Sequence, residues 1–219
     1  MITTAPQSKP PQMRLYGKDN QRLYINGSER SRLIDVAEAQ DLHIRAFCLT
    51  LLFTGCRLSE ARELTQQSLQ AQEQLLSIRS LKKRDQHHIR EIPIPTALCQ
   101  CLNDLAARPE DVHASVQLER TPQTQDNRSP WLWQSPDGEQ VSRNAAYRWI
   151  KEVMAQADIH GPQACPKGLR HGFAVHAISC GIQLNMVQKW MGHADISTTA
   201  IYANAVGREE LELAGRMWK

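Results

Sequence analysis

With 219 residues, 41% of them hydrophobic and 22% charged, the chain has ordinary globular usage, which excludes a disordered or fibrous protein and allows one large domain or one domain with appendages. A net charge of +3 announces no partner by itself, and the longest apolar stretch, Phe47 to Phe53 with a threonine inside it, falls far short of the ~18 residues of a membrane span. The N-terminal MITTAPQSKPPQMR has no apolar signal-peptide core, so a cytoplasmic protein without membrane contact is expected.

Residues 1–25, rich in Pro, Gln and basic side chains and without helical period, read as a flexible basic arm. Asn26-Gly27-Ser28-Glu29 offers a capping box that opens a helix through Ala39. A second helix follows from about residue 41, with Ile44, Phe47, Cys48, Leu51 and Leu52 on one stripe and Thr54-Gly55 as its stop. Ser59 is then placed to cap a short helix through Thr65. Leu75–Leu81 and His88–Pro95 read as two strands joined by a basic turn, and Thr96–Ala107 as a helix with Leu98, Cys101, Leu102 and Leu105 on one face. Polar residues 108–130 carry no period and end at a short strand, Trp131–Gln134, before the Pro136-Asp137-Gly138 turn. Ser142 caps a helix to about Ala157 whose inward residues are Ala146, Ile150, Val153, Met154 and Ala157. Helices over about 168–180 and 182–191, one over Thr199–Ala205 and a tail helix over Glu209–Trp218 complete a mainly α chain with a small antiparallel β-sheet.

The six cysteines (Cys48, Cys56, Cys99, Cys101, Cys165, Cys180) include no C-x-x-C pair, so free thiols are expected rather than disulfides or a metal site. The basic side chains cluster. Residues 1–34 hold Lys9, Arg14, Lys18, Arg22, Arg30 and Arg32 against Asp19 and Glu29, and residues 79–90 hold Arg79, Lys82, Lys83, Arg84 and Arg90 against Asp85. Such runs suit a polyanion, although a solvated charged surface accounts for them equally well.

Four segments concentrate cations beside one tyrosine: Thr54 to Glu60 around Arg57, the basic hairpin, Lys167-Gly-Leu-Arg170-His171, and Gly192-His193 followed by Tyr202. Lys167 and Arg170, spaced i, i+3, share one helix face, and Arg57 follows a glycine break at a helix start, where backbone N–H groups favour an anion. Two arginines, a histidine and lysines converging on one point make a phosphate clamp, because guanidinium binds oxyanions bidentately. The same donors stabilise the added negative charge of a five-coordinate transition state. A tyrosine in that field is expected to ionise below its ordinary value of about 10 and to serve as a covalent nucleophile. Taken singly, an arginine in a helix turn is usually a salt-bridge partner and a tyrosine on an amphipathic helix usually core; the combination and its order carry the reading.

In that order the sequence resembles the catalytic domain of tyrosine recombinases, the phage integrase family, whose fold breaks and rejoins DNA. TGCRLSEAREL looks like the family's first box, PKGLRHGFAVHAISCGIQL like its second and WMGHADISTTAIYAN like its third, the match running from about Asn26 to Ala205. The resemblance implies a catalytic domain over 26–206 and a site-specific recombinase that cleaves DNA through a 3′-phosphotyrosyl link, integrating, excising, inverting or resolving it. Arg57 and Arg170 match the phosphate-clamping arginines, His193 the phosphate-bonding histidine, Tyr202 the nucleophile, Glu60 the acid behind the first arginine, and His171 the supporting histidine after the second. The lysine that protonates the leaving 5′-oxygen falls at Lys82 by strand alternation and family spacing, with Lys83 next to it. The usual H-x-x-R is here Lys167-x-x-Arg170, which suits an electrostatic role better than that of a general base. Arg79, Arg84, Arg90 and Arg143 are the further candidates for DNA contact.

The bond energy stays in the phosphotyrosine, so neither a metal nor another cofactor is implied. The implied partners are double-stranded DNA with inverted-repeat target sites, a homo-tetramer assembled on it and accessory DNA-bending proteins. The tail, 207–219, is expected to dock on a neighbouring subunit. A separate N-terminal DNA-clamping domain, common in the family, has no room before Asn26, and the starting methionine favours a naturally minimal recombinase over a fragment. A type IB topoisomerase-like DNA relaxation and a non-catalytic DNA-binding regulator of the same fold are the competing functions.

Overall fold

A computed structural model describes residues 14–80, 88–107, 130–204 and, near the C-terminus, 211, 214, 215, 217 and 218. Helix α1, Gly27–Glu38, starts at the capping box expected for it: Asn26 Oδ1 accepts from the Glu29 N–H at 2.9 Å, and Glu29 Oε2 accepts from the Asn26 N–H at 3.0 Å. Helix α2, Leu42–Thr54, is buried all round from Ala46 to Leu52 rather than along one stripe, because helices pack on several of its faces. It ends at Gly55, whose φ of +61° suits glycine, and a Cβ there would stand 2.4 Å from the Phe173 ring. Helix α3, Leu58–Arg62, has Arg57 and not Ser59 at its N-cap, since Glu60 at the third helical position reaches back to the Arg57 N–H.

Three antiparallel strands follow in the order β1-β2-β3: β1, Leu69–Gln70, which carries too few residues to show a period; β2, Leu75–Arg79; and β3, Ile89–Pro93. The register sets Leu76 against Ile92 and Ile78 against Arg90, and these four residues form the buried face. Helix α4, Thr96–Ala106, packs on α2. The Trp131–Gln134 segment makes isolated bridges, Thr65 to Trp131 and Gln134 to Gln140, in place of a strand, and residues 108–129 lie outside the described chain. Helix α5, Arg143–Gln156, is capped by Ser142, whose Oγ accepts from the Ala145 N–H, and buries the five inward residues expected of it. Helix α6, Pro166–Ser179, α7, Leu184–Met191, and α8, Ser197–Ala200, are followed by a single 3₁₀ turn, Ile201–Asn204, where one continuous helix was expected.

Two hydrophobic cores result. The larger gathers Phe47, Leu51, Leu76, Ile92, Leu98, Trp133 and Ile150 between α1, α2, α4, α5 and the sheet, with Trp133 and Trp149 edge-on to Phe47. The smaller joins Leu15, Tyr24, Phe173, Val187, Met191 and Tyr202 on the far side of α6. Each fully buried Leu, Ile or Phe contributes about 1.5–3 kcal/mol relative to exposure.

Of the flexible arm expected over 1–25, residues 1–13 lie outside the described residues, and Leu15 and Tyr24 correct the reading for 14–25. Residues 14–25 pack against the domain: Tyr16 bridges Arg22, the Ile25 N–H donates to the Gly168 carbonyl, and Leu15, Tyr24 and Ile25 are buried. The crossing requires glycine on α6, since a Cβ at Gly172 would stand 2.6 Å from the Ile25 carbonyl oxygen. Arg22 also donates two bonds to Glu29, which locks this strap onto the α1 cap. The six cysteines are free, with Cys48, Cys56 and Cys99 buried and Cys180 at the surface. Among the described residues no helix is long and apolar enough to cross a membrane.

Candidate active site

The site forms where the C-terminus of α2, the N-terminus of α3, the inner face of β3 and the helices α6 to α8 meet. Glu60, 1% exposed, is its acidic anchor. One carboxylate oxygen accepts from Arg57 Nη1 at 2.6 Å, and the other accepts from the Arg57 N–H at 2.9 Å and from Arg90 Nη2 at 2.6 Å. Burial works to raise the Glu60 pKa, but Arg90 and Arg57 together hold it below the ordinary carboxylate value. The Arg57 side chain remains 25% exposed and opens on a cleft of about 460 Å³ lined also by Ser80, His88, Lys189, His193 and Thr198.

Arg170 projects from α6 into the interior. Its Nη1 donates to the Gly55 carbonyl and its Nη2 to the Met191 carbonyl, both at 2.6 Å, so the C-terminal ends of α2 and α7 receive the cation. Burial, with Arg57 nearby, pushes its pKa down to about 10, which keeps it charged at neutral pH, and a guanidinium with five N–H donors suits an oxyanion.

Tyr202 lies in the 3₁₀ turn with 1% exposure, between two imidazoles. Its hydroxyl is 2.9 Å from His171 Nδ1, and its ring stacks on His193 with an 11° interplanar angle. His193 follows Gly192, the left-handed cap of α7, and its Nδ1 is 2.9 Å from Thr199 Oγ1. The Nε2 atoms of both histidines are buried without a hydrogen-bond partner. Burial, then the Arg170 and Arg57 charges, drives the His193 pKa down to about 3; burial, then Lys167 and Arg170, drives that of His171 down to about 4. Both rings are neutral at pH 7.

The lowered Tyr202 pKa expected from the sequence is not found. Burial pushes the phenol up to about 12, and Arg170 and Arg57 offset that only in part. The cations are in place, but removing a phenolate from water costs more than they return.

Arg57, Glu60, Arg170, His171, His193 and Tyr202 thus converge, while Lys167 is exposed at the start of α6, close enough to His171 to act on its pKa. Arg143, first residue of α5, is exposed, and Arg79 is half-exposed and paired with Glu63 at 3.3 Å. Arg90 is a correction: its side chain is 1% exposed and bonded to Glu60, Ser80 and Trp190, so it cannot contact DNA. Strand alternation carried the signal, because position 90 shares its face with Ile92. Lys82, Lys83 and Arg84 lie outside the described residues. Thr199 and Ser80, both bonded to site residues, gave no sequence signal of their own. Among the described residues no group of three or more His, Cys, Asp and Glu could hold a metal ion.

Two carbonyl-anchored and carboxylate-anchored arginines, two neutral imidazoles with unmet nitrogens and one protected phenol form a site for an oxyanion beside a latent nucleophile. The chain belongs to the phage integrase family, whose sequence pattern matches residues 24–208. It is 29% identical over 196 residues to the tyrosine recombinase XerA of Pyrococcus furiosus, covering 88% of this chain and 60% of that protein. It is 28% identical over 211 residues to the tyrosine recombinase XerD of Brucella abortus, covering 94% and 63%. A crystal structure of XerA recombinase superposes with a TM-score of 0.71 at 23% identity, over 95% of this chain and 66% of that one. A pre-cleavage complex of the XerH site-specific recombinase bound to its difH substrate gives 0.68 at 16% identity, over 93% and 60%. The chain therefore has the tyrosine recombinase catalytic fold and spans about three-fifths of the length of the curated relatives it matches.

Proposed function

We propose that the chain is the catalytic part of a site-specific DNA recombinase acting through a 3′-phosphotyrosyl intermediate. The observation that carries the reading is the setting of Tyr202, bonded to His171, stacked on His193 and within the field of Arg170 and Arg57. Arg57, Arg170 and His193 bind the scissile phosphate, His193 donating from its unpartnered nitrogen. The Tyr202 oxygen attacks phosphorus; the Tyr–O–P bond forms, the bond to the 5′-oxygen breaks, and Lys82, with Lys83 beside it, supplies that oxygen's proton. The phenolic proton has an acceptor within reach in His171 Nδ1. The arriving phosphate charge offsets Arg170 and Lys167, two of the causes that keep that imidazole a weak base. Lys167 acts as an electrostatic donor to the phosphate.

Arg79, Arg84 and Arg143 contact the duplex backbone, which carries inverted repeats and binds a homo-tetramer aided by DNA-bending proteins. Exposed Leu211, Met217 and Trp218 give the tail an apolar surface for a neighbouring subunit. The test is covalent capture from a randomised pool of duplexes, followed by a supercoiled plasmid carrying two copies of the captured site. SDS-resistant adducts and recombinant product are expected; relaxation alone would mark a topoisomerase, and binding alone a regulator. Tyr202→Phe removes one hydroxyl and should abolish the adduct while leaving DNA affinity within about threefold. An adduct persisting in that variant would overturn the nucleophile assignment.

A further inference from the structure

Arg90 does more than fill the core. We infer that it is a positioning residue, joining the phosphate clamp to the base of the hairpin that bears Lys82, so that proton donation to the leaving oxygen depends on it. The inference rests on the recombinase reading above.

Its guanidinium is spread over three elements. Nε donates to the Trp190 carbonyl at 2.7 Å, Nη1 to Ser80 Oγ at 2.9 Å and Nη2 to Glu60 Oε2 at 2.6 Å. Each acceptor adjoins a different working group. Glu60 holds Arg57 through its other oxygen. Trp190 is near the end of α7, whose cap Gly192 leads into His193. Ser80 stands two positions before Lys82 in the chain, and its N–H closes the strand pair on the His88 carbonyl at 2.9 Å.

The packing allows little slack. A Cβ on Gly192 would lie 3.1 Å from Ser80 Oγ and 3.2 Å from Arg90 Nη1, so glycine lets the α7 cap close over this junction. The guanidinium is planar and rigid, so three acceptors are satisfied together only in one relative placement of hairpin base, clamp and α7. A lysine has no such plane and cannot reproduce it. Stability alone is a weak reason for such a pair, since buried ion pairs are often replaceable by apolar side chains without loss. Fixing one relative placement is the use the geometry fits.

The consequence is specific to one half of the reaction. As the phosphorus–oxygen bond to the 5′ side breaks, the departing oxygen takes a proton from the hairpin lysine. A substrate with sulfur at that bridging position releases a thiolate, which needs none. A donor displaced through loss of Arg90 should therefore slow ordinary DNA and spare the 5′-phosphorothiolate.

The experiment measures single-turnover cleavage of the captured duplex in both forms, using the full chain, with wild type and Lys82→Ala as references. Arg90→Met is expected to slow cleavage of ordinary DNA by about 100-fold, the lower range for loss of a general acid. Its DNA dissociation constant should stay within about threefold, and the sulfur substrate should be cleaved within about fivefold of wild type. Arg90→Lys should not restore the rate. Ser80→Ala removes just the hairpin-side bond, keeps the ion pair and should show the same substrate selectivity at smaller amplitude, so the idea stays testable if Arg90→Met does not fold. Equal defects on both substrates, in Arg90→Met or in Ser80→Ala, would place the effect in the clamp or the fold and overturn the inference, as would full activity in both variants. Lack of any wild-type adduct on either substrate would instead overturn the recombinase reading, and this inference with it.

Discussion

At the Arg57 end of the site each buried charge meets its counter-charge: Glu60 is held by Arg57 and Arg90, and Arg90 spends its remaining donors on Ser80 and Trp190. At the Tyr202 end the charge is met mainly by backbone carbonyls. There Arg170 leans on two helix-terminal carbonyls, and two neutral imidazoles each bury a nitrogen without a partner. A buried polar group left without a partner costs about 1–3 kcal/mol, so the second end carries a debt that an oxyanion with three or four free acceptor positions would cancel. The first end is assembled in the free chain; the second leaves donors that an oxyanion would complete.

The largest expected effect comes from breaking the finished end. Glu60→Gln keeps the shape but removes the charge that both arginines face. Breaking a buried ion pair costs about 3–5 kcal/mol, and for a chain of this length each kcal/mol lowers Tm by about 2–4 °C. A fall of roughly 6–20 °C at pH 7, read by circular dichroism, is expected. A fall under about 2 °C would mean that ion pairing does not hold this end together.

Acid should separate the two ends by the pH at which each fails. Both histidines have folded pKa values, about 4 for His171 and about 3 for His193, below the ordinary 6.5 of the unfolded chain. Below pH 6.5 the unfolded chain takes up protons that the folded site refuses, so stability present above pH 6.5 is lost as pH falls towards 4. With screening discounted, the two together lose about 2–4 kcal/mol by pH 5. Glu60 works in the same direction but later, because its depressed pKa matters only below the ordinary 4.5. Urea unfolding from pH 8 to 4 should show the decline beginning near pH 6.5 and shrinking in a His171→Phe, His193→Phe double variant. A profile flat to pH 5 would contradict neutral buried imidazoles.

The same contrast explains what the sequence could reveal. The Ser142 cap and the inward face of α5 were legible because caps and helical stripes are local patterns. The residues of the site were legible through family resemblance, and the arginines, histidines and tyrosine do converge. Arg90 departs from the surface role that the basic run suggests, because the two-residue strand period turns position 90 inward with Ile92. The strap at 14–25 leaves no local signal, because what docks it, the Gly168 carbonyl and the space left by glycine at 172, lies far along the chain. The direction of the Tyr202 shift depended on burial, which residue spacing does not encode. Charge could be counted from the sequence, but desolvation could not.

The smallest expected effect concerns Lys167, which is exposed yet acts on the unfinished end. Its charge is the second cause, after burial, of the low His171 pKa. Lys167→Met keeps the length of the side chain and removes the charge, so the folded His171 pKa should rise from about 4 towards 6.5, by less than burial alone depresses it. The sign follows: a smaller gap between folded and unfolded values means that the variant loses less stability than wild type between pH 7 and pH 5. Because an exposed charge acts through water, the difference should stay below about 1 kcal/mol. NMR titration of the His171 ring reads the shift directly, and the His193 ring, for which Lys167 is not among the causes, should stay put. Equal movement of both rings would point to a rearranged site rather than a removed charge. On DNA the same variant should lower the slope of log affinity against log salt by about one if Lys167 meets a phosphate, while discrimination between target sequences stays as it was.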